Sequence, residues 1–345
     1  MRWYYLESEQ KLRIVQSESY NPYYNLALEE SLFHHCENTG EIILYLWQNS
    51  NTIVVGRNQT VFTECNWAYA QVNDTKIARR MTGGGAVYHD LGNLNFTIIV
   101  PFKFYDRVRS TQVIVDTLLL SGVQAEVNGR NDIFCDGKKI SGNAYYSSKK
   151  AGLHHGTLLV EVDLLRMEEM LNVSGSKVSK SGVSSIRSRV MNIHEVSDVS
   201  IEEFKKKLED SFIDEYGDKD NILYGYAALK DSNFQERIQM YSSEAWIMNQ
   251  VSEYSIKLEE KFSWGNVTLS CEMEGKNIQR FAISSDSLYP DTINYFNSLC
   301  NQQNYYSEKR FLENLGKEEK NILYDLQKLK KRLIQLVRNG ENEKN

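Results

Sequence analysis

Asp132-Ile133-Phe134-Cys135-Asp136-Gly137-Lys138-Lys139-Ile140-Ser141-Gly142 decides the class of this fold. An Asp-Gly pair between two short runs with apolar residues is the strongest local signal for a hairpin, because a two-residue turn of this kind needs positive φ at both positions. The segment predicts two antiparallel strands meeting at Asp136-Gly137, with Lys139 on the returning strand near the turn. A lysine there is ordinarily a solvated edge residue. Adjacent strand residues point to opposite faces, so if Ile140 faces solvent, Lys139 faces inward beside Ser141. A semi-buried ammonium would give a carboxylate or phosphate a localised positive charge.

Working outward, residues 42–47 and 52–55 are strand-like, residues 95–100 form a third strand stopping at Pro101, and residues 158–162 form another after His154-His155-Gly156-Thr157. Asn21-Pro22 reads as an N-cap and first helical residue, with Tyr24, Ala27, Leu28, Ser31 and Leu32 on one buried face. Ser110 is expected to cap a helix through Leu120 that Gly122 ends. Phe204, Leu208 and Phe212 mark a charged helical region. Strand signals at 266–273 and 278–284 precede an amphipathic helix built on Leu326, Leu329, Leu333, Leu336 and Val337, with Asn339-Gly340 as its stop. Helices interleaved with hairpins predict an α+β domain rather than a regular βαβ repeat, followed by a small α/β module from about residue 257.

A second stretch bears on chemistry: Arg79-Arg80-Met81-Thr82-Gly83-Gly84-Gly85-Ala86-Val87-Tyr88-His89-Asp90. Three glycines in a row let the main chain approach a ligand or take positive φ, at a cost in folding entropy. A phosphate or carboxylate held by backbone N–H groups and neutralised by an arginine fork accounts for that cost. Neither a Gly-Lys-Ser/Thr ending nor a Gly-x-Gly-x-x-Gly spacing is present in this loop. His154 and His155, adjacent on an extended segment, point to opposite sides and are poor candidates to share a metal. Residues 180–189 have the cationic, serine- and glycine-rich composition of a lid over a phosphate. Arginine, lysine and glycine N–H groups without an obvious nucleophile suit electrostatic stabilisation of an anionic transition state.

The net charge of −6 over 345 residues argues against a nucleic-acid binder. The Met1-Arg2-Trp3-Tyr4-Tyr5-Leu6-Glu7 start lacks a signal-peptide core, and no window approaches the ~18 apolar residues of a membrane span. Five scattered cysteines, Cys36, Cys65, Cys135, Cys271 and Cys300, fit reduced thiols in a cytoplasmic protein rather than a zinc site or a disulfide framework. A monomer is the default expectation.

In order along the chain, these segments resemble the lipoate–protein ligase A family of the biotin/lipoate ligase superfamily. The resemblance begins at Tyr20-Asn21-Pro22-Tyr23-Tyr24-Asn25-Leu26-Ala27-Leu28-Glu29-Glu30 and passes through Leu46-Trp47-Gln48-Asn49 and Val54-Val55-Gly56-Arg57-Asn58-Gln59. It takes in the Arg79-Arg80 glycine loop, Gly92-Asn93, Gly129-Arg130-Asn131-Asp132, Lys139-Ile140-Ser141-Gly142-Asn143-Ala144-Tyr145 and His154-His155-Gly156-Thr157-Leu158-Leu159. It continues at Ser184-Ser185-Ile186-Arg187-Ser188-Arg189, then Phe262-Ser263-Trp264-Gly265 and Ser285-Asp286-Ser287-Leu288. Met81-Thr82 stand where the family commonly has serines, and Asn143 where it commonly has a small residue.

The resemblance implies a large mixed-sheet catalytic domain of the biotin/lipoate ligase type (residues 1–250) and a smaller α/β accessory domain (residues 257–345). It implies that lipoate and MgATP form lipoyl-AMP, whose acyl group moves to a lysine of lipoyl domains of 2-oxoacid dehydrogenase E2 subunits or of glycine cleavage H protein. Carried over by residue, Lys139 would bridge the lipoate carboxylate and the α-phosphate, and Arg80 would hold ATP phosphates. Gly85, Ala86, Val87 and Tyr88 would line the nucleotide, with Asn131 and Asp132 positioning the adenylate and Asp132 its Mg2+. Trp47, Arg80, Gly83, Gly84, Lys139 and His155 would contact lipoate. Three other readings are carried alongside. A lipoyl or octanoyl transferase working through an acyl thioester would need a pocket cysteine, and Cys135 is nearest in sequence to Lys139. A non-catalytic lipoyl-domain binder need not keep both cations, and a biotin ligase would carry a Gly-Arg-Gly-Arg-type loop that is missing here.

Overall fold

The computed structural model describes residues 11–128, 131–171, 189–217, 221–226, 231–248, 256–274, 277–302 and 311–342. The expected lid at 180–188 and the Gly129-Arg130 pair lie outside these described residues.

Asn21 opens the first helix, Pro22–Thr39, by accepting a hydrogen bond from the Tyr23 amide, and Gly40 closes it at φ 75°. Sheet strands pack on one side of this helix and the helix Phe234–Ser242 on another. It therefore buries more than the expected stripe, including Asn25 and Glu29.

The main sheet orders β11 (Ile222–Tyr224), β1 (Leu12–Gln16), β2 (Ile42–Trp47), β6 (Asn93–Pro101), β10 (Ala151–Leu159), β9 (Lys138–Ser147), β8 (Asp132–Cys135) and β7 (Glu126–Asn128). β1 runs parallel to both of its neighbours and the remaining pairs are antiparallel, so the sheet is mixed. A second sheet orders β4 (Lys76–Arg79), β3 (Thr52–Val55) and β5 (Val87–His89). Helices Arg107–Leu120 and Ile201–Tyr216 seal one face of the main sheet through Leu44, Phe96, Ile98, Ile114, Leu118, Phe204 and Phe212. The first helix and Phe234–Ser242 seal the other, around Leu28, Leu32, Tyr45, Trp47, Ile99 and Leu153. Every residue of β6 and β10 is buried, so each polar side chain on them must find a protein partner.

Three expectations shift. The second long helix begins at Arg107 rather than Ser110, because the Asp106 carboxylate caps it by accepting from the Val108 and Arg109 amides. β10 spans 151–159, so both histidines sit inside the strand, held there by continuous pairing to β6. The C-terminal helix, Lys317–Asn342, runs through Asn339-Gly340 instead of stopping there.

By packing, the chain forms two units, one of Met1–Val54, Phe62–Arg79 and Ala86–Ile247, the other of Val55–Val61, Arg80–Gly85 and Met248–Asn345. The second unit contains an antiparallel sheet of β12 (Ile256–Phe262), β13 (Gly265–Glu274) and β14 (Asn277–Ser285). Helices Pro290–Cys300 and Lys317–Asn342 cover it through Leu269, Ile293, Phe296, Ile322, Leu326 and Leu333. Among the described residues no helix is long and apolar enough to cross a membrane.

Candidate active site

The hairpin forms as expected, with Asp136 at φ 49° and Gly137 at φ 72°. Its strands then slip by one residue: Ile133 pairs with Ser141, but Phe134 pairs with Lys139, leaving Ile140 in a bulge. The condition set for Lys139 is not met, since Ile140 is fully buried in the core. Both faces of the sheet are covered, so Ile140 enters one core while Lys139 leaves on the other side, and the bulge sets Lys139 and Gly142, three positions apart, on the same face. A Cβ on Gly142 would meet Lys139 Nζ at 2.9 Å and Thr157 Oγ1 at 3.8 Å, which puts the ammonium on the sheet face that Thr157 shares with His155.

Lys139 Nζ lies 2.8 Å from Asp132 Oδ1, with about a third of each side chain exposed (31% and 30%). That oxygen accepts no aligned hydrogen bond among the described residues, so the pairing rests on charge. The Lys139 backbone is pinned by the Arg189 carbonyl at 2.8 Å and the Met191 amide at 3.1 Å. Asn131 is fixed by exchange with Asn143: the Asn143 amide N–H and side-chain Nδ2 both donate to the Asn131 carbonyl, at 2.9 and 3.0 Å. The Asn131 side chain in turn donates to the Asn143 carbonyl.

His155 and Trp47 are joined through two residues that the sequence reading left without roles. Trp47 Nε1 donates to Thr97 Oγ1 at 3.1 Å, Thr97 donates to Glu29 Oε1 at 2.6 Å, and His155 Nδ1 lies 2.8 Å from the same carboxylate oxygen. Glu29 is 1% exposed. Register alone places Thr97 opposite both His155 and Tyr45, so β2, β6 and β10 bring the chain together side by side. The indole stacks on Tyr45 and meets His89 edge-on, leaving a flat apolar wall with one polar edge. His154, one residue earlier, points to the opposite face as expected and stacks on Tyr145 at 4.6 Å. Burial pushes its imidazole down to about 3, so it is neutral.

The two arginines of the glycine loop divide the work. Arg79, 1% exposed, donates Nε and Nη2 to the Ile247 carbonyl and holds the end of the Glu244–Met248 helix. Arg80 belongs to the second unit, where Nη2 donates to the carbonyls of Gly83 and Gly85 at 2.7 and 2.8 Å and Nε to Thr82 Oγ1. Two of the three glycines lie against protein main chain. A Cβ on Gly83 would lie 1.9 Å from the Ser287 carbonyl oxygen, while Gly84, at φ 91°, donates its N–H to the same oxygen. Gly85 is exposed, with nothing within 4 Å of a built Cβ. Ala86 and Val87 are half-buried at the start of β5, and Tyr88 is buried with its phenol pushed up to about 12 by burial.

No cysteine is set up as a nucleophile. Burial pushes the thiol of Cys36 up to about 12 and that of Cys65 up to about 11. Burial also raises those of Cys135, Cys271 and Cys300. A thiolate nucleophile requires the opposite shift.

This mixed-sheet domain, with a buried indole stacked on Tyr45 and a lysine–aspartate pair on a bulged hairpin, matches the lipoyl protein ligase A/B catalytic domain over residues 21–213. Residues 252–335 match the bacterial lipoate protein ligase C-terminus. The chain belongs to the lipoate–protein ligase family. Among solved structures, it is similar to P. falciparum LipL1 in complex with lipoate, with 25% identity, a TM-score of 0.77 and coverage of 94% of this chain and 99% of that one. A lipoate-protein ligase A bound with ATP shares 28% identity over 70% of this chain and 100% of that one, at a TM-score of 0.60. The bi-partite ligase of Thermoplasma acidophilum, described with its E2 lipoyl domain, shares 28% identity over 72% and 99% of the chains, at a TM-score of 0.62.

Proposed function

We propose that this chain activates lipoate with MgATP and transfers the lipoyl group to the lysine of a lipoyl domain. The observation that carries the reading is the Lys139 ammonium, half-exposed on the sheet face that also bears the Trp47–Thr97–Glu29–His155 chain. That face offers an apolar indole for a dithiolane tail and a cation for the carboxylate at the other end of the acid. The similar structures with lipoate and with ATP bound support the two ligands.

In the first step a lipoate carboxylate oxygen bonds to the α-phosphorus of ATP, the α–β bridging bond breaks, and pyrophosphate leaves. Lys139 would stabilise charge on the carboxylate and α-phosphate, and Arg80 would exchange its loop carbonyls for phosphate oxygens. In the second step the acceptor amine bonds to the acyl carbon and AMP leaves with the electron pair. With a lysine pKa of about 10.4, on the order of 10⁻³ of the acceptor is neutral near pH 7, so holding and deprotonating it are part of the task. Acceptors would be E2 lipoyl domains, for which the Thermoplasma acidophilum structure is the parallel, and glycine cleavage H protein.

Among the described residues no three His, Cys, Asp or Glu side chains converge on a metal position. Mg2+ keeps waters and phosphate oxygens as most of its ligands, so a single carboxylate can serve it once Lys139 Nζ, 2.8 Å from Asp132 Oδ1, turns to the substrate. Asp132 would be its protein ligand, and the ion would supply charge neutralisation along the triphosphate.

The deciding experiment is lipoate-dependent exchange of labelled pyrophosphate into ATP without acceptor. Exchange is expected. Its absence, together with acyl transfer from a preformed donor, would make the chain a transferase instead.

A further inference from the structure

We propose that the buried His154–Asn143 pair is a positioning device that sets Asn131-Asp132, and through them Lys139, from the opposite face of the sheet. The inference rests on the ligase reading for its kinetic arm only.

The Asn143 amide has one orientation that satisfies its neighbours. The Asn131 carbonyl can only accept, and it lies 3.0 Å from one end of that amide, which must therefore be the NH2. The same nitrogen reaches Ser141 Oγ at 3.3 Å. The oxygen end is then turned to His154 Nε2 at 2.9 Å, and an oxygen there needs a donor. His154 must carry its proton on Nε2. Asn143 is 4% and His154 1% exposed, so water does not compete for either group. Phe96, edge-on at 5.2 Å, and Tyr145, stacked at 4.6 Å, fix the ring plane.

Asn143 thus makes two hydrogen bonds to the Asn131 carbonyl, one from the backbone and one from a side chain whose orientation the histidine imposes. Asp132 follows directly in sequence and holds Lys139 Nζ at 2.8 Å. Losing the histidine donor leaves the buried Asn143 Oδ1 without a partner, so the side chain is held at its NH2 end only and its grip on the Asn131 carbonyl loosens. His154 touches neither Lys139 nor Asp132, so its influence is through position alone. A misplacement on the order of 1 Å at a reacting group can cost about a hundredfold in rate, and a partial shift is expected to cost about tenfold.

The test has a structural and a kinetic arm, both on the full chain. In histidine-labelled protein, 15N shifts of His154 should report the neutral Nε2–H tautomer. The Nδ1–H tautomer would overturn the proposal whether or not the chain is a ligase. In pyrophosphate exchange, His154→Leu should lower kcat about tenfold with the KM for lipoate unchanged, while His154→Gln, which restores an N–H donor, should recover most of the rate. Equal loss in both variants would assign the residue to packing only and overturn the proposal, as would wild-type kcat in a folded His154→Leu chain. Absence of exchange in the wild type would sink the ligase reading alone, and the tautomer would still decide the relay. Should His154→Leu not fold, Asn143→Ser supplies the same kinetic comparison.

Discussion

Thr97→Val is the most telling perturbation of the pocket wall, because it changes chemistry at nearly constant volume. The single hydroxyl of Thr97 does two things: its proton goes to Glu29 Oε1 at 2.6 Å, and its lone pair receives Trp47 Nε1–H at 3.1 Å. Valine removes both and orphans a buried indole N–H and one acceptor site of a carboxylate that is 1% exposed. An orphaned neutral donor costs about 1–3 kcal/mol and a lost hydrogen bond to a charged group about 1.5–3, so the pair sums to about 2.5–6 kcal/mol. Thr97→Ser keeps the hydroxyl and loses one buried methyl, at about 1 kcal/mol. Urea denaturation followed by far-ultraviolet circular dichroism, comparing the three proteins, should therefore rank wild type above serine above valine, with valine at least ~1.5 kcal/mol below serine by that difference. A valine variant as stable as the serine variant would refute the claim that the hydroxyl links Trp47 to Glu29.

Lys139→Ala should abolish pyrophosphate exchange while leaving acceptor binding unchanged, as read by calorimetry with a purified lipoyl domain; unchanged lipoylation would sink the proposed mechanism. Gly83→Ala should lower the melting temperature by several degrees in a thermal scan, since a Cβ there lies 1.9 Å from a main-chain oxygen, whereas Gly85→Ala, in open space, should melt like wild type. Cys135→Ser should retain ligation, measured by transfer of lipoate to an acceptor, because burial in the core raises that thiol. The packing of Phe234–Ser242 on the first helix should be strongest between about pH 4.5 and 6.5, from two opposite shifts. Burial pushes the Glu30 carboxyl up, but hydrogen bonds from His34 and Tyr241 and the Arg237 charge outweigh it and leave it low, so its contribution fades as acid protonates it. The hydrogen bond to Glu30 raises His34 against burial, with help from Glu37, so its contribution fades as pH rises through the raised value. Hydrogen exchange along Phe234–Ser242 as a function of pH checks this, and a profile rising steadily to pH 8 would contradict it.

Local chemistry explains why some of this was legible in the sequence. Asp136-Gly137 is readable because few other pairs tolerate positive φ at both positions. Asn21-Pro22 is readable because cap and first turn are neighbours in sequence. The opposing directions of His154 and His155 follow from strand alternation. The Ile140 bulge was not readable, because it depends on how β8 and β9 settle against the core. Glu29, inside a run of helix formers, looks like a solvated residue; its partner His155 is 126 positions away. The glycine loop was legible only in part. Glycine marks close approach without saying to what, and for Gly83 and Gly84 the answer is the Ser287 carbonyl.

The five thiols also make the chain its own reporter. Three lie in the larger unit (Cys36, Cys65, Cys135) and two in the smaller (Cys271, Cys300), all free and four of them buried. A maleimide or iodoacetamide probe will mark each thiol only when its surroundings open. Mass-resolved labelling rates then time the opening of each unit separately in the unaltered protein, with no dye or engineered cysteine added.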